Sequence, residues 1–540
     1  MNDHYPISVH NFLLPFKWNY LPSQYKPEAG KQPFDFDERT DLGKFNEKIK
    51  DGLFERKFFK IDKDPLNYNE INYFHGFIYK SIYDLQQADE PTVNQVSKNK
   101  TILYYEIPIN EQSAYVIDTQ KDTYRLQLTG ISLHVFNTGT AIITFNLENH
   151  AYKESEQILQ INEFGRRLYP PFLAGDEGNQ THIPKGIMLA TKIKIELPSL
   201  TIQEDFCGFD NLTQVETHCF DPERKKYGQI IVFPNHITKL FNENFTFKPK
   251  VTGGEIIRIN AVGDDRMFYQ CWYGNNSISK RLKQYGKKEF DSKNNFWFAF
   301  TNGDKSSKDL GLDSQELQME LAKNRTYRLW EGYGTFYGFT RESFVSLSNE
   351  QSSFIGIHMR HMYYQMCVLA LAQRASILRF SSEIASLADL GRSEPREAAK
   401  LIEKLYLNYI EFNNKIYFRE ITPQMQGIDI YTGLQQAMKI PTDVEDLQKE
   451  LADLYNFSMM VKQDIQNKQT LRLTRLAAFF LPPTLAFSIM GSNFYSEKNW
   501  DWHGTNIDWD VIFWIALGCS TVFIYPIFNT FSSIFKKIKS

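Results

Sequence analysis

Two apolar runs near the C-terminus constrain this 540-residue chain more than any other feature of it. Residues 471–490 carry Arg472 and Arg475 at their start and no charge after them, and residues 511–531 carry no charge at all. A helix rises about 1.5 Å per residue, so about 20 residues cross the hydrocarbon core of a bilayer, and both runs are long enough. Together they predict a two-helix transmembrane hairpin over 471–535, with a basic tail at 536–540. Lys462, Lys468, Arg472 and Arg475 precede the first run, Lys536, Lys537 and Lys539 follow the second, and the loop between them holds Lys498 alone. The positive-inside rule then places both ends of the chain in the cytoplasm. The loop itself is acidic, with Glu497, Asp501, Asp508 and Asp510, a composition that draws cations to its surface. Trp500, Trp502 and Trp509 suit the membrane interface.

The rest of the chain has the composition of a water-soluble protein. Mean hydropathy is −0.43, and 23% of residues are charged, so the spans are confined to the C-terminal end. A net charge of −3 gives no general attraction to a phosphate backbone, and no direct nucleic-acid binding is expected. The five cysteines, Cys207, Cys219, Cys271, Cys367 and Cys519, form no C-x-x-C pair and no zinc spacing, which suits a reducing compartment. The start, "MNDHYPISVHNFLLPFKW", lacks the basic residues and long apolar run of a signal peptide. No Walker loop, dinucleotide fingerprint or nucleophile elbow is present, so neither an enzyme nor a required cofactor is indicated.

The first run has two unlike faces. Counting back from Gly491 by threes and fours gives Ser488, Thr484, Leu481, Ala477, Leu473 or Thr474, Thr470 and Asn467, which share one side of a helix. That side is small or polar at most steps, so it faces a partner helix or water. Around an axis, its hydroxyls and amides would contact a hydrated cation while Leu473 and Leu481 form apolar constrictions. Pro482 and Pro483 free the carbonyls one turn back, which a membrane tolerates where neighbours or water satisfy them.

The stretch "NKQTLRLTRLAAFFLPPTLAFSIMGSNF" resembles the pore helix of CorA-type divalent cation channels. In that family a long cytoplasmic helix enters a first span that ends in Gly-Met-Asn, followed by a short outer loop, a second span and a basic tail. Here the motif reads Gly491-Ser492-Asn493, with serine in the methionine position. The resemblance covers about 75 residues. It implies a homo-oligomer, a pentamer in the family, in a bacterial inner membrane, with Mg²⁺ or another divalent cation as the transported ion. It also implies Asn493 as the amide that meets the incoming cation, and the missing methionine bears on selectivity.

Upstream, residues 351–470 read as a helical stalk. "FIGIHMRHMYYQMCVLALAQRASILRFSSEIASLADL" has helical spacing with no breaker before Gly391, and Ser393 with Pro395 predicts the start of a second helix. "PTDVEDLQKEL" opens a further helix expected to run unbroken from about Thr442 to Met490. His358 and His361 lie three apart without a neighbouring carboxylate or cysteine and read as ordinary helix residues. Residues 1–350 read as one or two strand-rich domains, so the fold class is α+β followed by an all-helical stalk and hairpin. The alternation through Ile131, Leu133 and Val135, then Ile143, Phe145 and Leu147, predicts a hairpin turning at "NTGT". A helix is expected near 314–324 and strands within 326–348.

In "INEFGRRLYPPFL" (161–173), Arg166 and Arg167 are candidates to hold phosphate oxygens while Phe164 or Tyr169 stacks on a base; the alternative is a pair of packing ion pairs. This stretch, "FNTGTAIITFNLEN" and "GTFYGFTRESFV" resemble those of the CorA-like effectors found beside type III CRISPR systems. That resemblance implies a channel opened by a nucleotide messenger, in some systems a conjugate of S-adenosylmethionine with AMP, as an antiviral response. Two other readings stay open: a housekeeping magnesium transporter regulated by Mg²⁺ itself, and a membrane-tethered binding protein that does not conduct.

Overall fold

The computed structural model describes residues 5–22, 40–60, 65–169, 189–206, 220–221, 226–227, 233–247, 254–263, 265–284, 296–303 and 314–491. The second expected span, 511–531, and the motif residues Ser492 and Asn493 lie outside them. The two halves differ in character as expected: strand-rich to residue 348, helical over 354–491.

The longer strands are β1 (Ser8–Leu21), β2 (Ile102–Ile107), β3 (Ala114–Asp118), β4 (Thr123–Phe136), β5 (Thr140–Asn149), β6 (Lys192–Glu196), β7 (Thr201–Asp205), β8 (Ile256–Ala261), β9 (Phe268–Gly274), β10 (Phe336–Phe339) and β11 (Ser343–Ser348). With three two-residue strands they make one sheet in the spatial order β10-β11-β9-β1-β5-β4-β3-β6-β7, with β8 also on β1 and β2 also on β4. β1 is the spine. It pairs antiparallel with β5 along one edge, and on the other edge with β9 (Leu13 opposite Phe268) and then β8 (Phe16 opposite Ala261). Pro15 stands where β1 changes partner, a place where a missing ladder donor is tolerated.

The β4–β5 hairpin forms as its alternation predicts, and Ile131, Leu133, Val135, Ile143, Phe145 and Leu147 are fully buried. Its second face is buried too. Ser132, His134 and Thr144 lie beneath the stalk, where the Tyr364 hydroxyl meets Ser132 Oγ at 2.9 Å and donates to Thr144 Oγ1 at 3.0 Å. Alternation marks which residues share a face; it does not say what covers the polar one. The sheet therefore has apolar packing on both sides. Phe12, Leu14, Phe16 and Trp18 serve one core, while Val9, Leu13, Ile142 and Phe136 serve another shared with the stalk.

The helices that matter for function are α1 (Ser155–Gly165), α2 (Phe354–Arg360), α3 (Met362–Ser393), α4 (Pro395–Lys415), α5 (Met425–Ala437) and α6 (Ile440–Gly491). Two expectations need correction here. The first stalk helix breaks at His361 (φ −114°, ψ −95°), where His361 Nδ1 is 2.8 Å from Glu70 Oε2 and Arg360 pairs with Glu148. These two tertiary contacts, a histidine–carboxylate hydrogen bond and an ion pair, straddle a kink that carries no Pro or Gly in sequence. α3 then continues through Gly391 to Ser393, so Glu394 takes the N-cap position of α4 without a side-chain capping bond, and Pro395 opens the helix. α6 is one unbroken helix of 52 residues, about 78 Å long.

The hairpin turn is locked to the stalk. Gly139 has φ +72°, and a Cβ there would lie 1.6 Å from Arg379 Nη1. Arg379, on α3, donates to the carbonyl oxygens of Gly139 (2.6 Å) and Trp18 (3.2 Å) and to Asn19 Oδ1 (3.0 Å), and pairs with Glu383 at 2.7 Å. Gly139→Ala is expected to destabilise by at least about 2 kcal/mol, from left-handed strain plus a displaced charged hydrogen bond. A lowered melting temperature by tryptophan fluorescence checks it; an unchanged one refutes the lock.

Candidate functional site

α6 is built from two opposed seams. Val444, Leu447, Leu451 and Ser458 are buried, with Leu454, Val461 and Ile465 partly so, and this face packs on the other stalk helices. On the opposite face Asp446, Asp453, Met460, Asn467, Thr474, Leu481 and Ser488 recur every seven residues. Lys449, Asn456, Gln463, Thr470, Ala477 and Thr484 follow the same repeat three residues on, and all of these side chains are exposed. A seven-residue repeat is the period of helices that wind around a common axis. In a dry coiled coil these positions are apolar; here they are mostly polar or small, the composition of a seam that faces water.

Of the expected pore residues, Asn467, Thr470, Ala477, Leu481, Thr484 and Ser488 lie in this seam, while Leu473 falls at its edge and Thr474 takes the central place. The seam reaches further down the stalk than the expected pore face, to Asp446. The heptad spacing from Asn467 backwards is the signal that finds it. Thr484 Oγ1 donates to the Phe480 carbonyl at 2.7 Å and Thr474 Oγ1 to the Thr470 carbonyl at 2.9 Å. With their protons spent on the helix, these hydroxyls offer oxygen lone pairs outward, the polarity a cation needs. Pro482 and Pro483 sit inside the helix without ending it, and the described part of the helix runs to Gly491.

From Gln466 to Leu481 every side chain is exposed, Leu473 by 67% and Leu481 by 62%, so this part of α6 stands clear of the rest of the described chain. Among the described residues, no helix is long and apolar enough to cross a membrane. Side chains at 486, 487, 489, 490 and 491, in the most apolar part of the first expected span, lie outside that description.

The expected phosphate site has a different character from the one its sequence suggests. Arg166 and Arg167 are not on a strand: they follow α1, whose start is closed by a capping box between Glu154 and Gln157. Both guanidiniums turn to Glu163, Arg166 at 3.0 Å and Arg167 at 2.6 Å, and Arg167 also pairs with Asp265. Arg166 is fully buried, stacked 5.0 Å from the Tyr269 ring centre, and donates to the Gly303 carbonyl at 3.0 Å. Glu342 lies 3.5 Å from Arg166 and 3.2 Å from Arg266, which is also 3.3 Å from Asp265. Among the described residues, three guanidiniums thus face three carboxylates, so the charges of this cluster balance. Burial alone would push the Glu163 carboxyl up; the two arginines outweigh it and hold the group below the usual glutamate range. Phe164 is buried, and Tyr169 packs against the same core. All four residues thus pack inside the strand-rich half, the two arginines in ion pairs and the two aromatic rings against its core.

A second polar group has no signal in the sequence. His10 Nδ1 is 2.7 Å from Asn162 Oδ1 and 3.5 Å from Cys271 Sγ, and its Nε2 is 2.8 Å from Ser8 Oγ. These residue types serve thiol catalysis elsewhere, but burial holds His10 neutral, its pKa lowered to about 4, and pushes the Cys271 thiol well up. Both shifts oppose a thiolate–imidazolium pair. No group of three or more His, Cys, Asp or Glu among the described residues is placed to hold a metal ion.

Compared with known proteins, the chain matches no family model and no curated protein. Among solved structures it is weakly similar to the CorA magnesium transporter from Methanocaldococcus jannaschii, with 13% sequence identity and a TM-score of 0.20 over 50% of this chain and 92% of that one.

Proposed function

We propose that this chain is the subunit of a homo-oligomeric membrane cation channel, with the exposed seam of α6 lining the axis and the strand-rich half acting as its sensor. The observation that carries this reading is the pair of opposed seams. One face of α6 is packed, and the other is exposed, heptad-spaced and polar where a self-contained stalk would need only a solvated surface. Copies arranged about an axis give that face its use. A hydrated cation then meets the oxygens of Asn467, Thr470, Thr484 and Ser488, with Leu481 as an apolar constriction and Asn493 at the outer mouth.

Five subunits, an inner-membrane location and divalent selectivity follow the resemblance of the C-terminal 75 residues to CorA-type channels. The finer proposal is gating by a nucleotide messenger, such as an S-adenosylmethionine–AMP conjugate, in type III CRISPR defence. It is supported by the three resembling stretches of the strand-rich half. Its contacts are sought away from Arg166 and Arg167, whose charge is already matched. A ligand opens the pore only through its preference for the open state.

Purified protein in liposomes loaded with a Mg²⁺ indicator tests both levels, with ATP, AMP, cyclic oligoadenylates and the S-adenosylmethionine–AMP conjugate as additions. Cation flux that appears with a nucleotide is the expected result. Flux that Mg²⁺ suppresses and no nucleotide alters would identify a magnesium-regulated transporter. No flux under any condition would leave a membrane-tethered binding protein.

A further inference from the structure

Beside the start of α4, the flank of α6 carries a crevice of about 670 Å³ lined by Arg396, Phe457, Met460, Asp464, Ile465 and Lys468 among others. Its lining joins apolar side chains to charged ones of both signs. It lies at the end of the packed part of α6, just before the helix stands free. Large apolar side chains recur on both flanks of the polar seam, interrupted by Asp464 on one and Gln466 on the other. On the crevice side, Phe457, Leu471 and Leu485 share a flank, with Leu471 55% and Leu485 61% exposed; on the other, Met459, Leu473 and Phe480 are 47%, 67% and 58% exposed.

Helices that wind in parallel about an axis bring one flank of each against the opposite flank of the next, with partners about five residues apart along the chain. That offset sets Met459 opposite Asp464, Gln466 opposite Leu471, and Phe480 opposite Leu485. We propose that the crevice is the seat for a second copy of this chain, with Met459 of one subunit entering between Phe457, Asp464 and Ile465 of the next. The contact is head-to-tail: a knob on one flank, a hole on the other, so it does not stop at a dimer, and it closes into a ring when the copies share one axis. The mixed charges of the lining let a copy of the same helix approach without net repulsion. This inference rests on the channel reading, and it assigns the stalk-level interface that holds the seams together.

Oxidative cross-linking of the full-length protein in membranes tests it, using Met459→Cys/Asp464→Cys, each single substitution, and the unmodified chain with its five native cysteines as background. Within one helix these two positions are too far apart, and point too differently, to bridge. The double variant is expected to give a ladder of dimer, trimer and higher species, at least ten-fold above either single variant. A dimer from Met459→Cys alone would mean like flanks meet and would overturn the head-to-tail seat. No ladder from a double variant that still assembles and conducts would overturn the seat and leave the channel reading standing. An unmodified chain that neither assembles nor conducts would overturn the channel reading and the seat with it.

Discussion

Arg166→Ala is expected to destabilise the strand-rich half by about 3–5 kcal/mol, a larger loss than that expected of Gly139→Ala. The cause is less the attraction lost than the charge left behind. Glu163 is 3% exposed and relies on Arg166 and Arg167 to stay ionised away from water. Without Arg166 the carboxylate keeps one partner, the Tyr269 ring loses its cation, and Glu342 loses a neighbour. The pH dependence supplies a second reading. Glu163 has its folded-state pKa depressed, so its contribution is full above the unfolded glutamate value and is lost as pH falls through the folded one. Removing Arg166 raises the folded value, so the acid limb of the stability profile should move to higher pH. Arg166→Lys should recover only part of the loss, because one ammonium cannot match the contacts to Glu163 and the Gly303 carbonyl together with the flat stack on Tyr269. Melting curves across pH for the three proteins decide the matter. An Arg166→Ala protein as stable as the parent would mean the pair is spare, and the phosphate cradle would return to consideration.

How much of the structure is legible in the sequence depends on finding the right period. α6 is legible because its signals agree: a helix-opening "PTD", apolar residues at helical spacing, and no breaker other than two prolines late in the run. The hairpin is legible for the same reason at period two, though the burial of Ser132 and His134 is not, since that depends on where α3 lands. The arginine pair misleads when its segment is read as extended. On a helix, Glu163 to Arg166 and Arg167 are steps of three and four, the spacing at which opposite charges meet. The capping residue is a glutamate where serine or threonine is usual, so the start of α1 gives no warning. The kink at His361 has no local sign at all, because its partners Glu70 and Glu148 are distant in sequence. The seam of α6 is half visible from its apolar end: steps of three and four from Gly491 reach Asn467, and only the step of seven carries the same face on to Asp446.

That seam leads to the strongest functional expectation. Leu481→Lys should abolish cation flux while leaving assembly intact. Leu481 is exposed and central in the seam, so copies around an axis would set a ring of ammonium groups at an apolar constriction. At an effective dielectric of about 20, one such charge about 8 Å from a divalent cation costs about 4 kcal/mol, near a thousandfold in rate, and a ring multiplies the cost. Leu476 is 49% exposed but lies on the other side of the helix, so Leu476→Lys should leave flux within about two-fold. Because a lysine deep in the bilayer can also impair insertion, Leu481→Ala is the companion: it keeps the helix apolar, widens the constriction, and should raise resting flux several-fold. Liposome flux alongside gel filtration of each variant separates the causes. If Leu481→Lys assembles and conducts like the parent, the heptad face is packing between helices, and the path of the ion, if there is one, lies elsewhere.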